Sequence, residues 1–131
     1  MTAEVTIRRR VQWMDTDAAG IWHHSTAIRW AEEAEAKLHR DLGIVYRTFG
    51  ATPRVSVEFN YGVPLRFDDE VDVTLTVTAL GETSITYEVL MDHDGETLAS
   101  GRMVAVLIER TSGVKKPWPS DMRALLSPPE G

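Results

Sequence analysis

The sequence predicts an α+β fold in which one five-stranded antiparallel sheet wraps around a single long helix. Two observations carry it. Residues 26–42 are an unbroken run of strong helix formers, rich in Ala, Glu, Leu and Lys, stopped by Gly43. Three later segments alternate apolar and polar residues with the period of two that marks a half-buried strand, a fourth is apolar on both faces, and another alternating segment precedes the helix.

Taken in order, residues 5–14 place Val5, Ile7, Val11 and Trp13 at even intervals across a run of arginines, which reads as the first strand. An acidic loop follows. Ser25 is positioned as an N-cap, its hydroxyl accepting a first-turn amide. Along the helix, Ala27, Ala31, Ala34, Leu38 and Leu42 form an apolar stripe, and its small alanines suit close approach to a broad, flat partner such as a sheet. Glu33, Glu35 and Lys37 read as the solvated face. After an irregular stretch to Gly50, Val55, Val57, Phe59 and Tyr61 alternate with polar residues, as do Val71, Val73, Leu75 and Val77, then Ile85, Tyr87, Val89 and Met91. Residues 98–108 are apolar on both faces, the mark of an internal strand. Gly81 and Asp94-Gly95 supply the hairpin turns. The tail from Lys115, with four prolines, reads as a surface loop. One sheet covering one helix leaves open edges, so a homo-oligomer is expected.

The 131 residues suit one domain, residues 1–131, and bury roughly two-thirds of the unfolded surface. With 43% hydrophobic and 26% charged residues the composition is that of an ordinary globular chain. No apolar run approaches the roughly 20 residues of a membrane span, and the N-terminus lacks the basic and apolar segments of a signal peptide, so a cytoplasmic protein without a membrane partner is expected. The absence of cysteine excludes disulfides, thiolate metal sites and a cysteine nucleophile. A net charge of −6 argues against a nucleic-acid partner. Two local basic clusters, Arg8-Arg9-Arg10 and Lys115-Lys116, read as solvated strand and loop charges, or alternatively as contacts for a phosphate-bearing ligand.

The segment with chemistry in it is Asp15-Thr16-Asp17-Ala18-Ala19-Gly20-Ile21-Trp22-His23-His24. Two carboxylates, small residues and a glycine lead straight into a helix start. The first turn of a helix offers unpaired N–H groups and the positive end of a dipole, which can hold an oxygen that becomes negative. A carboxylate beside it can attack a carbonyl or activate water. Asp15 reads as a structural turn residue. Adjacent on a helix, the His23 and His24 side chains would diverge. No His, Asp or Glu set has metal-ligand spacing.

These residues resemble the hotdog-fold acyl-CoA thioesterases of the 4-hydroxybenzoyl-CoA thioesterase type. The resemblance runs over residues 6–108 and rests on Val11-Gln12-Trp13, the acid-x-acid-x-x-Gly segment 15–20, His24, residues 29–34 on the helix, residues 55–59, and Pro64-Leu65-Arg66-Phe67-Asp68-Asp69. It implies a hotdog fold paired into homodimers or homotetramers, with active sites at the dimer interface, and hydrolysis of an acyl-CoA thioester without metal or redox cofactor. Asp17 matches the family's catalytic aspartate, and His24 a second site position. Trp22 and Trp30 are candidates for the aromatic pocket. Glu32 matches a family acid near the substrate. Ala27 and Ala31 stand where many relatives carry larger residues, which bears on the acyl group. Two further readings remain: a thioesterase acting on an acyl carrier protein, and a non-catalytic module that binds acyl ligands.

Overall fold

The computed structural model describes residues 3–127. The chain runs β1 (Glu4–Arg10), α1 (Ser25–Asp41), α2 (Val45–Thr48), β2 (Arg54–Tyr61), β3 (Glu70–Leu80), β4 (Ser84–His93), β5 (Glu96–Val106) and α3 (Ser120–Leu126). The five strands form one antiparallel sheet in the order β1-β3-β4-β5-β2. This is the predicted fold class, and β5 is internal as its apolar faces require. The period of two is visible in the burial. Val71, Val73, Leu75 and Val77 of β3, and Ile85, Tyr87, Val89 and Met91 of β4, turn to the core. The intervening Thr74, Thr76, Glu88 and Leu90 face outward.

Helix α1 buries Ala27, Trp30, Ala31, Ala34 and Leu38 and packs chiefly against β1 and β3. Gly43, at φ +77°, takes the left-handed conformation that ends it, as expected. Asp94 and Gly95, both at positive φ, make the tight β4–β5 turn.

Four local expectations give way to the structure. The first strand stops at Arg10, because Gln12 and Asp15 cap a 3-10 turn at Trp13–Asp15 that bends the chain away. The N-cap of α1 is His24, and Ser25 is already helical. The stretch after Gly43 contains the short helix α2. In the tail, α3 buries Met122 and Leu126 behind Trp118, whose indole N–H donates to the Ser84 carbonyl at 3.0 Å. Of the tail, residues 128–131 lie outside the described residues. No helix among the described residues is long and apolar enough to cross a membrane.

The two sheet edges differ. On β1 the register sets Arg8 against Asp72 and Arg10 against Glu70, and both pairs form ion pairs. Strand β2 is bonded on one side to β5, and its other side is bare. Val57, Phe59 and Tyr61 point to the same face as the core residue Met103, with the Phe59 ring lying over Gly101. Yet Val55, Val57 and Tyr61 remain 61%, 41% and 43% exposed. Helix α1 and its N-cap are hydrogen-bonded to β2 at the strand's two ends, through Arg54 and through Tyr61.

Candidate active site

The acidic loop between β1 and α1 is closed by backbone bonds. A bridge pairs Thr16 with Trp22, the Asp17 N–H donates to the Ile21 carbonyl, and the Gly20 N–H returns to the Asp17 carbonyl. Gly20, at φ +78°, makes that turn possible. The two acids of the loop play separate parts. Asp15 is 3% exposed; its carboxylate accepts the Gln12 N–H and pairs with Arg29, and its carbonyl accepts from the His23 N–H and the Thr26 hydroxyl. It pins the loop to the helix, as its structural reading expected. Asp17 is exposed; one carboxylate oxygen accepts the Ala19 N–H at 2.8 Å, and the other has no protein partner among the described residues.

The amides at the opening of α1 can be accounted for singly. The Trp22 N–H goes to the Leu65 carbonyl, His23 to Asp15, Ser25 to the His23 ring, and Thr26 to the His23 carbonyl. Among these the His24 N–H has no acceptor, and it sits at the positive end of the helix dipole. The Tyr61 hydroxyl donates to the His24 carbonyl at 2.6 Å and so ties this peptide to β2. Burial pushes the Tyr61 phenol upward, keeping it a donor.

The two histidine rings do not diverge. His24 precedes the helix, and its ring lies 4.1 Å from that of His23, tilted by 33°. His23 Nδ1 accepts the Ser25 N–H, so His23 supplies the side-chain cap that Ser25 was expected to provide. Trp22 and Trp30 are 4% and 3% exposed; their rings lie 5.8 Å apart at a tilt of 40°, and Trp22 meets Tyr61 edge-on at 5.7 Å. They form an aromatic floor behind Tyr61. Glu32 lies exposed further along α1 and pairs with Arg54 at 3.4 Å. The structure thus gathers Asp17, His24 and Trp22 at one loop–helix junction and sets Glu32 apart from them.

A polar group was hidden on the helix face read as solvated. Glu35 is buried and receives two hydrogen bonds from Arg54, at 2.6 and 2.8 Å, which raise the Arg54 guanidinium. His39, one turn on, is buried between the Thr48 hydroxyl at 2.6 Å and the Tyr87 hydroxyl at 2.8 Å. Burial lowers the His39 pKa to about 4 and raises the Tyr87 phenol well above its ordinary value. The signal was present in the spacing: Glu35 and His39 continue the buried row of Ala27 and Ala31 at steps of four. Of the two basic clusters, Arg8, Arg9 and Arg10 are all paired with acids, namely Glu70 and Asp72, Glu33, and Asp68 with Glu70. Lys115 and Lys116 have no carboxylate partner among the described residues. Nor do these residues contain a group of three His, Cys, Asp or Glu placed to hold a metal ion.

Comparison with known proteins matches residues 11–126 to the thioesterase-like superfamily. A 1,4-dihydroxy-2-naphthoyl-CoA hydrolase of Prochlorococcus marinus is 30% identical, over 95% of this chain and 82% of the relative. A hydrolase of the same name from Synechococcus elongatus is 24% identical over 92% and 93%. Among solved structures, a gentisyl-coenzyme A thioesterase superposes with a TM-score of 0.84 at 26% identity, covering 94% of this chain and 100% of that one.

Proposed function

The chain belongs to the thioesterase-like superfamily, and on that footing we propose that it hydrolyses an acyl-CoA thioester, with the catalytic arrangement of the 4-hydroxybenzoyl-CoA thioesterase type. The observation that carries this reading is the pairing, on one loop–helix junction, of a free carboxylate oxygen on Asp17 with an unengaged amide at His24. The thioester oxygen is held by the His24 N–H, which strengthens its hold as the oxygen becomes negative; losing such a donor costs about 10²–10³ in rate. The Asp17 carboxylate then attacks the carbonyl carbon, or takes a proton from a water that does. The carbon–sulfur bond breaks and the thiolate leaves and is protonated. On the water route the acyl carbon is then a free carboxylic acid. On the nucleophilic route it is held as a mixed anhydride with Asp17 until a water adds to it, breaks the bond to Asp17 and releases the acid. The exposed ring of His24 stands beside the reacting carbonyl and orients it.

An aromatic acyl group fits best. The naphthoyl and gentisyl substrates in the relatives' names are hydroxylated aromatics, and the surface next to His24 is the Tyr61 ring over Trp22 and Trp30.

The site is completed by a second copy. Burying a valine or comparable apolar side chain contributes roughly 1.5–3 kcal/mol, and Val55, Val57 and Tyr61 on the bare β2 edge forgo it in the single chain. Pairing β2 antiparallel with its own copy bonds the open edge and covers those residues in one step. It also sets the Arg54 end of one strand against the Tyr61 end of the other, so that Glu32 approaches the partner subunit's His24 as a substrate contact. No separate cofactor enters this scheme.

The test is free-thiol release from a panel of aryl-, short- and medium-chain acyl-CoA esters, with Asp17→Asn beside the wild type. The reading expects aryl esters to lead and Asp17→Asn to lose at least a hundredfold in kcat, within the ~10²–10⁴ range of acid–base groups. Turnover unaffected by the substitution would remove Asp17 as the catalyst. No turnover on any ester would turn the reading to a carrier-protein substrate or a binding module.

A further inference from the structure

The peptide between His23 and His24, which carries the donor N–H of the site, is aimed by a closed ring of hydrogen bonds. The His23 N–H donates to the Asp15 carbonyl at 2.7 Å, and the His23 carbonyl accepts the Thr26 N–H at 2.9 Å. The Thr26 hydroxyl returns to the same Asp15 carbonyl at 3.1 Å and closes the ring. The His23–His24 peptide is trans and planar, so its carbonyl and its N–H point in opposite directions. Holding the His23 carbonyl on Thr26 therefore sets where the His24 N–H points.

Thr26 has no exposed surface, so its hydroxyl takes its partners from the protein. Arg29 decides which way that hydroxyl points. It stands three positions on from Thr26, on the same face of α1. Its Nη2 donates to the buried Asp15 carboxylate and lies 3.4 Å from the Thr26 oxygen. A guanidinium can only donate, so the Thr26 oxygen accepts from it and turns its own hydrogen to the Asp15 carbonyl. The other Asp15 carboxylate oxygen accepts the Gln12 N–H at 2.8 Å, which fixes the acid in turn. The Asp15 carbonyl is already satisfied by the His23 N–H. What the Thr26 bond adds is direction, because it ties the first turn of α1 to the loop.

We propose that Thr26 and Arg29 are positioning residues for the reaction: with Asp15 they form a clamp that aims the His24 N–H at the thioester oxygen. Neither touches the substrate. The inference rests on the acyl-CoA reading above and adds to it the groups that set the donor's direction. From β2, Tyr61 holds the carbonyl on the far side of His24, so the residue is gripped on both sides of the N–H that is left open. A donor aimed in advance costs no reorganisation when the oxygen becomes negative, and a displacement of about 1 Å can cost about a hundredfold in rate. The clamp also explains why the two acids of the loop differ: Asp15 is consumed in aiming the amide, and Asp17 is left with an open oxygen.

Two measurements test this on the full chain, with Thr26→Val, which keeps the shape and removes the hydroxyl, Thr26→Ser, which restores it, and Arg29→Gln. Thr26→Val leaves the Asp15 carbonyl bonded to His23, so it should fold, and it decides alone where Arg29→Gln does not. The first measurement is steady-state hydrolysis of the aryl-CoA ester that the wild type turns over best. Thr26→Val should lose about tenfold or more in kcat with KM nearly unchanged, and Thr26→Ser should recover most of the loss. An unchanged kcat in Thr26→Val, a loss confined to KM, or an equal loss in Thr26→Ser overturns the proposal. The second is the NMR order parameter of the His24 N–H, which needs no turnover. It should be that of rigid backbone, about 0.85, in the wild type and fall toward about 0.6 in Thr26→Val and Arg29→Gln. A mobile His24 amide in the wild type, or one equally rigid in the variants, overturns the clamp. A rigid amide loosened by the variants, in a protein that hydrolyses no ester, sustains the clamp and removes the acyl-CoA reading.

Discussion

Acidification should unfold this protein in a window set by one buried side chain. His39 has no exposed surface and is neutral in the fold, between the hydroxyls of Thr48 and Tyr87. Desolvation first, then the Arg54 charge, press its pKa down, and the Glu35 charge only partly offsets them, leaving it at about 4 against 6.5 in an unfolded chain. The fold therefore favours the neutral ring. That contribution is fully present above pH 6.5, falls as the unfolded state takes up a proton the folded state refuses, and is gone below pH 4. The full difference of about 2.5 pKa units corresponds to roughly 3 kcal/mol, of which roughly 2 kcal/mol is lost between pH 7 and 5. Against a whole-domain stability of about 5–15 kcal/mol this is a large share. Two carboxylates with lowered pKa values, Asp72 and Asp121, titrate below their ordinary 3.8, so the window from pH 6.5 to 4.5 isolates the histidine. The assay is urea denaturation at half-unit steps of pH, for wild type and His39→Gln, which keeps a polar side chain but does not titrate. Wild type should approach a loss of one proton's worth of stability per pH unit in that window, and His39→Gln should be nearly flat. Equal slopes in the two proteins would refute the assignment.

Glu35→Gln removes the charge that Arg54 is bonded to and should cost about 3 kcal/mol by thermal or urea melting, the low end for a broken buried pair because Arg54 still reaches Glu32 and solvent. Val57→Asp places a carboxylate on the inner face of β2; under the proposed β2 pairing, light scattering should give at least a dimer for the wild type and a single chain for the variant, and thiol release should fall with it. A variant that keeps both the wild-type mass and its activity would move the interface elsewhere.

The regular elements were legible because each is written in a local period. The helix was misplaced by one residue at each end, the three strands read from alternation fall where it put them, and the last, read from its apolar faces as 98–108, is displaced by two residues to Glu96–Val106. What escaped the sequence were features that depend on a partner distant in the chain. Glu35 looks like a surface charge until Arg54, nineteen positions on, is folded over it. The arginines of β1 look available until the β1–β3 register delivers Asp72 and Glu70 to them. The acids of the site were separable in advance only in part. Asp15 and Asp17 differ by two positions, and it is Arg29, on the first turns of α1, that consumes one and leaves the other open.

The small residues of α1 connect fold and site. Ala27, Ala31 and Ala34 have no exposed surface and let the helix settle deeply over β1 and β3. A helix drawn to that side leaves β2 less covered: the strand is bonded to it at its ends, by Arg54 to Glu32 and Glu35 and by Tyr61 to His24, and Val57 between them is left half in water. Larger side chains at the three alanine positions would overpack this contact and lift α1 off β1 and β3. They would also break the Tyr61 bond that holds the His24 peptide, because that bond requires the helix start and the end of β2 to stay together. The geometry that presents the His24 amide and the geometry that leaves the inner face of β2 half uncovered thus share the same row of alanines.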